Sequence, residues 1–235
     1  MPSDPPRSPV GVTIAPSLMC ADLCRLSESV KELEDHGIDI LHIDIMDARF
    51  VPNMPLGLET LKQLRSMTDL PYDVHLMVED NGFFIERFAE IGARMISVHA
   101  ESAIHLDRTL GLIRSHGIRP GVALTPASPL STIEWVLDQL DFVLLMTVNP
   151  GFAGQELVEG SLRKIADCRR LLEDRGIEIP IEVDGNVGFE NIPEMVSAGA
   201  EILVAGTSSV FHPGASVGEN IRKTWESVEI GLRDD

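Results

Sequence analysis

The sequence predicts a single (β/α)8 TIM barrel, on three observations. Short apolar or β-branched runs alternate eight times with amphipathic stretches, at about 30 residues per unit. Several amphipathic stretches end in glycine, at Gly37, Gly92, Gly117, Gly176 and Gly199, where a left-handed helix cap is expected, and the next apolar run follows within a few residues. The rival open doubly wound sheet lacks its marks: nothing signals a topological switch point, and no G-x-G-x-x-G follows the first strand.

Taken in order, the first unit is TIAPSLM followed by ADLCRLSESVKELEDHG. The second is ILHIDIM with LGLETLKQLRSM, the third YDVHLMV with GFFIERFAEIG, and the fourth MISVHA with IHLDRTLGLIRSHG. The second half continues with RPGVALT and LSTIEWVLDQL, then FVLLMTV and SLRKIADCRRLLEDRG. IPIEVDG with FENIPEMVSAG and ILVAGTSSV with GENIRKTWESVEIGL complete the set. No linker divides the chain, so residues 12–235 are read as one barrel, preceded by a Pro-rich, poorly ordered arm over residues 1–11.

Composition narrows the function. With 44% hydrophobic and only 5% aromatic residues the chain has the make-up of a globular protein with an aliphatic core. A formal net charge of −18 and a pI near 4.7 work against nucleic acid or an anionic membrane as partners. An anionic ligand must then be held by local donors. No run of 18 apolar residues and no apolar leader segment occur, so a cytoplasmic location is expected. Cys20, Cys24 and Cys168 are read as reduced structural thiols, since there is no C-x-x-C pair.

In a barrel of this type the active site lies at the C-terminal ends of the strands. The polar residues there are Ser17, His42, Asp44, Asp47, His75, His99, Thr125, Asn149 and Asp184. His42 and Asp44 are two apart on strand 2 and so point to the same face, the barrel interior. With His75 ending strand 3 and Asp184 ending strand 7, two imidazoles and two carboxylates converge into a four-ligand site for a divalent transition metal. Burying such charge unpaired would cost several kcal/mol. Carboxylates on strand 2 and strand 7 suit removal of a proton from one face of a carbon and delivery of another to the opposite face, through an enediolate that the cation stabilises.

The phosphate end is read from glycines. NPGFAGQ (residues 149–155) follows strand 6, DGN (184–186) strand 7 and AGTSS (205–209) strand 8. Backbone N–H groups in such turns, with a nearby helix N-terminus, make a phosphate cradle in which no Lys or Arg takes part. Met19, Met46, Met77 and Met146 fall at or near strand ends, where they either pack the core or form an apolar lid that keeps water from the enediolate.

These motifs, in order and spacing, resemble the ribulose-phosphate 3-epimerase family: APSLMCADL, HIDIMD with FVPN, DVHLMV, VHAE, MTVNPGFAGQ, EVDG and AGTSSVF, spanning about residues 12–230. The resemblance implies a TIM barrel of the ribulose-phosphate binding type that interconverts D-ribulose 5-phosphate and D-xylulose 5-phosphate by 1,1-proton transfer at C3. It implies one divalent metal ion per subunit, zinc first, with iron, manganese or cobalt as alternatives. Carried over by position, His42, Asp44, His75 and Asp184 hold the metal, and Asp44 and Asp184 double as the acid/base pair. Ser17, His75, Met46, Met77 and Met146 contact the substrate; Gly151, Phe152, Ala153, Gly154, Gly185, Asn186, Gly206, Thr207 and Ser208 take its phosphate end. The expected partners are a small phosphorylated ketose and further copies of the chain in a homo-oligomer.

The chain departs from the family pattern in three loops. Ala48-Arg49 stands where the family usually has Gly-His, Asn186 where it usually has a second glycine after strand 7, and Gly206-Thr207-Ser208 where many members read Gly-Ser-Ala. Losing a glycine removes easy access to positive φ, although Asn tolerates that region. The PGFAGQ and GTS wording is also close to the related allulose-6-phosphate 3-epimerases, so a hexulose phosphate is the alternative substrate, with Arg49 a candidate specificity residue. Two other classes compete with this reading. A decarboxylase with an Asp-x-Lys-x-x-Asp array is contradicted by Met46 at the lysine position, and a non-catalytic sugar-phosphate binding barrel would have no need of two opposed carboxylates.

Overall fold

The computed structural model describes residues 11–233. The proposed arm falls almost entirely on residues 1–10, outside the described residues. Eight parallel strands form one sheet: β1 (Thr13–Pro16), β2 (Leu41–Met46), β3 (Tyr72–Met77), β4 (Met95–His99), β5 (Arg119–Leu124), β6 (Phe142–Met146), β7 (Ile181–Asp184) and β8 (Ile202–Ala205). Each pairs with its neighbour in sequence from β2 to β8, and β8 pairs with β1. A single parallel bridge between Ser17 and His42 brings β1 against β2, so the barrel closes at two of the predicted site residues.

Both faces of the strands are covered: β2, β3, β4 and β6 are buried at every position. Outside them lie α1 (Leu26–Asp35), α2 (Leu58–Arg65), α3 (Asn81–Ile91), α4 (Leu106–Ser115), α5 (Ser161–Asp174), α6 (Ile192–Ser197) and α7 (Val217–Gly231). All five glycines expected to end helices have positive φ, from 64° at Gly176 to 105° at Gly199. The last helix opens with a capping box, in which Ser216 and Glu219 satisfy each other's backbone N–H groups.

One predicted helix is absent. After β5 the chain forms two 3₁₀ turns, Leu130–Ile133 and Leu137–Gln139, although Ile133, Val136, Leu137 and Leu140 keep the helical spacing of buried residues. A 3₁₀ turn rises about 2.0 Å per residue against 1.5 Å in an α-helix, which lets this short segment run back along the strand.

Candidate active site

The alternation of side chains along the strands builds the site in two tiers. Parallel register sets Asp44 of β2 beside His75 of β3, and His42 beside Asp73 one step below. On β7, Asp184 and Glu182 repeat the two-residue spacing. In the upper tier His42 Nε2 lies 3.5 Å from Asp44 Oδ1. His75 Nδ1 lies 3.4 Å from the same oxygen and 3.3 Å from Asp184 Oδ2.

One ligand atom from each of His42, Asp44, His75 and Asp184 lies within 4.8 Å of the other three. Separations near 3.4 Å are too long for good hydrogen bonds, but four ligands about 2.1 Å from a tetrahedral zinc ion stand about that far apart. The two ring nitrogens that face this point, His42 Nε2 and His75 Nδ1, are buried and have no hydrogen-bond partner. Leaving such groups unsatisfied costs about 1–3 kcal/mol each, which a cation with nitrogen and oxygen ligands would recover. The residues therefore fit a divalent metal.

The electrostatics agree. Burial works against a charged His42, yet Asp44 and Asp73 outweigh it and raise its proton affinity well above the ordinary imidazole range. His75 is raised too, by Asp184 and Asp44 against its own burial. Burial likewise opposes ionisation of Asp44, but His42 and His75 hold its carboxyl far below the usual range. In all three groups the surroundings demand positive charge at the centre of the cluster, and a metal ion meets that demand without protonating the ligands.

Beneath the cluster, His42 Nδ1 meets Asp73 Oδ2 at 2.7 Å and Glu182 Oε1 at 3.2 Å. Burial and the charge of Asp73 push the carboxyl of Glu182 well above the usual range. This lower tier was not anticipated. The signal was present, because Asp73 and Glu182 have the same strand parity as His75 and Asp184.

Above the cluster opens a cleft of roughly 530 Å³, in free contact with solvent. Asp44 and Asp184 lie on its floor, whereas His42 and His75 are fully buried behind them and do not line it. His75 thus contributes a ring nitrogen to the cluster beneath the cleft, without lining the cleft itself. Ser17 donates to Asp44 Oδ2 at 2.5 Å. Met46 and Met77 pack with Met19, Val51 and Phe50, while Met146 joins a separate group with Val148, Leu144 and Ala123. All four methionines line the cleft. Cys20, read from sequence as purely structural, also lines it; burial and the nearby Asp44 charge push its thiol up to about 11, so it remains protonated.

The far end of the cleft is lined by Gly151, Phe152, Ala153, Gly154, Gly185, Asn186, Gly206, Thr207 and Ser208, and by no Lys or Arg. Gly185 has φ of 120°, and a Cβ there would lie 2.8 Å from the backbone nitrogen of Val148. Only glycine fits. Asn186 takes φ of 48° and keeps the left-handed turn. After β8 the chain makes hydrogen-bonded turns over residues 206–212 before α7 begins.

The loop after β2 also keeps its shape without glycine, since Ala48 sits at φ 58°. Asp47 holds it there: Oδ1 accepts from the Arg49 and Phe50 N–H groups and Oδ2 from that of Glu79 at 2.7 Å. Asn53 then reaches across the mouth to donate to Gly151 O at 2.8 Å. Arg49 is exposed and paired with Glu79 at 3.2 Å, and it does not line the cleft.

A family model described as the ribulose-phosphate 3 epimerase family matches residues 13–211. The chain belongs to this family. It is 46% identical over 198 residues to the ribulose-phosphate 3-epimerase of Bacillus subtilis, covering 84% of this chain and 91% of that one. It is 46% identical over 202 residues to the chloroplastic ribulose-5-phosphate-3-epimerase of Arabidopsis thaliana (85% and 72% covered). The ribulose-phosphate 3-epimerase of Escherichia coli is 43% identical over 201 residues (85% and 89% covered). The barrel also superposes on a tryptophan synthase α-subunit from Pyrococcus furiosus, with a TM-score of 0.66 at 14% identity over 93% of this chain and 98% of that one. At that identity the likeness concerns the fold alone. None of the three epimerase relatives is named for a hexulose phosphate, so these comparisons lend the allulose alternative no support. The family, the barrel and the buried cluster agree on an isomerase that changes the configuration of one carbon.

Proposed function

We propose that the protein is a metal-dependent ketose-phosphate 3-epimerase that interconverts D-ribulose 5-phosphate and D-xylulose 5-phosphate. One observation carries the reading: two carboxylates from separate strands, Asp44 and Asp184, meet over two orphaned imidazole nitrogens at the floor of a cleft whose other end is glycine-rich backbone. His42, Asp44, His75 and Asp184 would hold one divalent ion, zinc first by the nitrogen and oxygen donor set, with iron, manganese or cobalt as alternatives. Such an ion supplies a Lewis acid that stabilises negative charge on substrate oxygens.

The remaining work belongs to the chain. Turns at Gly151–Gly154, Gly185–Asn186 and Gly206–Ser208 present N–H donors that hold the phosphate, which sets C3 of the sugar between the two carboxylates. One carboxylate removes the C3 proton, and the electron pair left behind becomes the C2–C3 double bond of an enediolate. The other carboxylate, protonated, returns a proton to the opposite face of C3, inverting it. Asp44 and Asp184 then differ from their starting states by one proton each, which exchange with solvent resets. Ser17 orients Asp44, and Met46, Met77 and Met146 exclude water from the enediolate.

The setting we propose is cytoplasmic and homo-oligomeric. All three cysteines are unpaired, no helix among the described residues is long and apolar enough to cross a membrane, and Trp135 and Ile104 offer exposed apolar surface for self-association.

The test is incubation of D-ribulose 5-phosphate with metal-supplied protein in D₂O. Formation of D-xylulose 5-phosphate with deuterium at C3 is expected. No exchange with zinc, manganese, cobalt or iron supplied would sink the reading, and a higher kcat/KM on allulose 6-phosphate would move the substrate.

A further inference from the structure

A line of buried polar groups leaves the metal cluster on the β4 side. His75 presents Nδ1 to Asp44 and Asp184, and its other nitrogen, Nε2, lies 2.9 Å from Nε2 of His99. His99 presents Nδ1 to Oε2 of Glu101 at 3.1 Å. The second oxygen of Glu101, Oε1, accepts from the Thr125 N–H at 2.9 Å and from the Ser128 hydroxyl. Both imidazoles are wholly buried, and Phe50 covers the His99 ring at 4.9 Å between centroids.

Hydrogen-bond direction has one consistent solution along this line. A ligating nitrogen carries no proton, so a neutral His75 that binds metal through Nδ1 keeps its proton on Nε2 and donates it to His99. Nε2 of His99 must then accept, which leaves the proton of His99 on Nδ1. There it meets a carboxylate that can only accept. Reversing any one bond would set donor against donor or acceptor against acceptor inside a dry site.

We propose that Glu101, acting through His99, is a positioning residue that fixes the tautomer and ring orientation of His75 as a metal ligand. The inference rests on the four-residue metal reading above and extends it to two residues that do not touch the metal position. Outer partners of this kind hold ligating imidazoles in register and raise their basicity. The same carboxylate is anchored by Thr125 and Ser128, so the loop after β5 joins the support of the site.

Glu101→Gln separates this role from space filling. If the amide oxygen stays on Thr125 and Ser128, its NH₂ faces the Nδ1–H of His99; if the amide turns over, its NH₂ faces the Thr125 N–H. Either way one donor opposes another. In the zinc-loaded wild-type protein, ¹⁵N shifts of the imidazole rings should show His99 protonated at Nδ1 and bare at Nε2. Zinc affinity of Glu101→Gln, measured by competition with a chromophoric chelator, should fall about 10–100-fold while near-UV circular dichroism is unchanged. A wild-type His99 protonated at Nε2, or a Glu101→Gln variant that keeps wild-type zinc affinity although His99 is no longer protonated at Nδ1, overturns the relay. The wild-type tautomer decides the matter alone if the variant does not fold. Failure of the wild-type protein to take up zinc defeats the metal reading and the relay together, whereas zinc uptake with the wrong tautomer defeats the relay only.

Discussion

The two ends of the cleft are made of different materials. At and behind the floor, ionisable side chains are gripped by other polar side chains: Asp44 by Ser17, His42 by Asp73, His75 by His99. At the far end the donors are backbone, shaped by glycine and by Asn186, with no cationic side chain among them. The contrast suits the chemistry proposed for each end. Proton transfer and metal binding need groups whose charge is set by their neighbours, and side chains in a low-dielectric interior supply that. Holding a phosphate needs only several N–H dipoles at fixed angles, and backbone supplies them without adding a cation to a chain of net charge −18.

The contrast breaks most sharply with the carboxylates. Asp184→Asn and Asp44→Asn keep the shape of the floor but remove an acid/base, and each should lower kcat about 10³-fold or more, measured by coupled assay on D-ribulose 5-phosphate. Equal loss from an alteration at the glycine end would erase the distinction. Metal comes next. With zinc at about 100 times its dissociation constant, the native state should gain about 2.7 kcal/mol, so chelation should lower Tm by about 5–10 °C in a thermal scan.

Substitution at the backbone end should be felt in binding and packing. Gly185→Ala drives a Cβ against Val148 at a positive φ and should cost about 1–3 kcal/mol of stability. It should also raise KM for the sugar phosphate more than it lowers kcat. A variant with unchanged KM would argue that this turn does not hold the phosphate. The smallest effect belongs to the loop that bridges the two ends. Ala48 sits at φ 58°, so Ala48→Gly should relieve strain and add up to about 1 kcal/mol, seen as a slightly higher urea midpoint with unaltered kcat.

Much of the floor was legible from strand parity. His42 and Asp44 share a face because they are two apart, and that same rule, applied to Asp73 and Glu182, would have found the lower tier. Those two lie one step deeper in the barrel than the strand ends that face the cleft. Glu101 was visible only as part of a motif, for its role depends on His99 of its own unit and on Thr125 and Ser128 from the next one. Arg49, a candidate for specificity on sequence, proves to pair with Glu79 away from the cleft.

The amino-acid sequence by itself determined the barrel, the order of its units and the residue types at the cleft, because side-chain period and glycine caps are properties of a few consecutive residues. Which groups face each other was decided only by tertiary structure. Closure of β1 on β2 brings β7 round toward β2, and Asp184 meets Asp44 across 140 residues of chain. Hydrogen-bond direction and charge act over a few ångströms, so they are set by barrel geometry and not by neighbours in sequence.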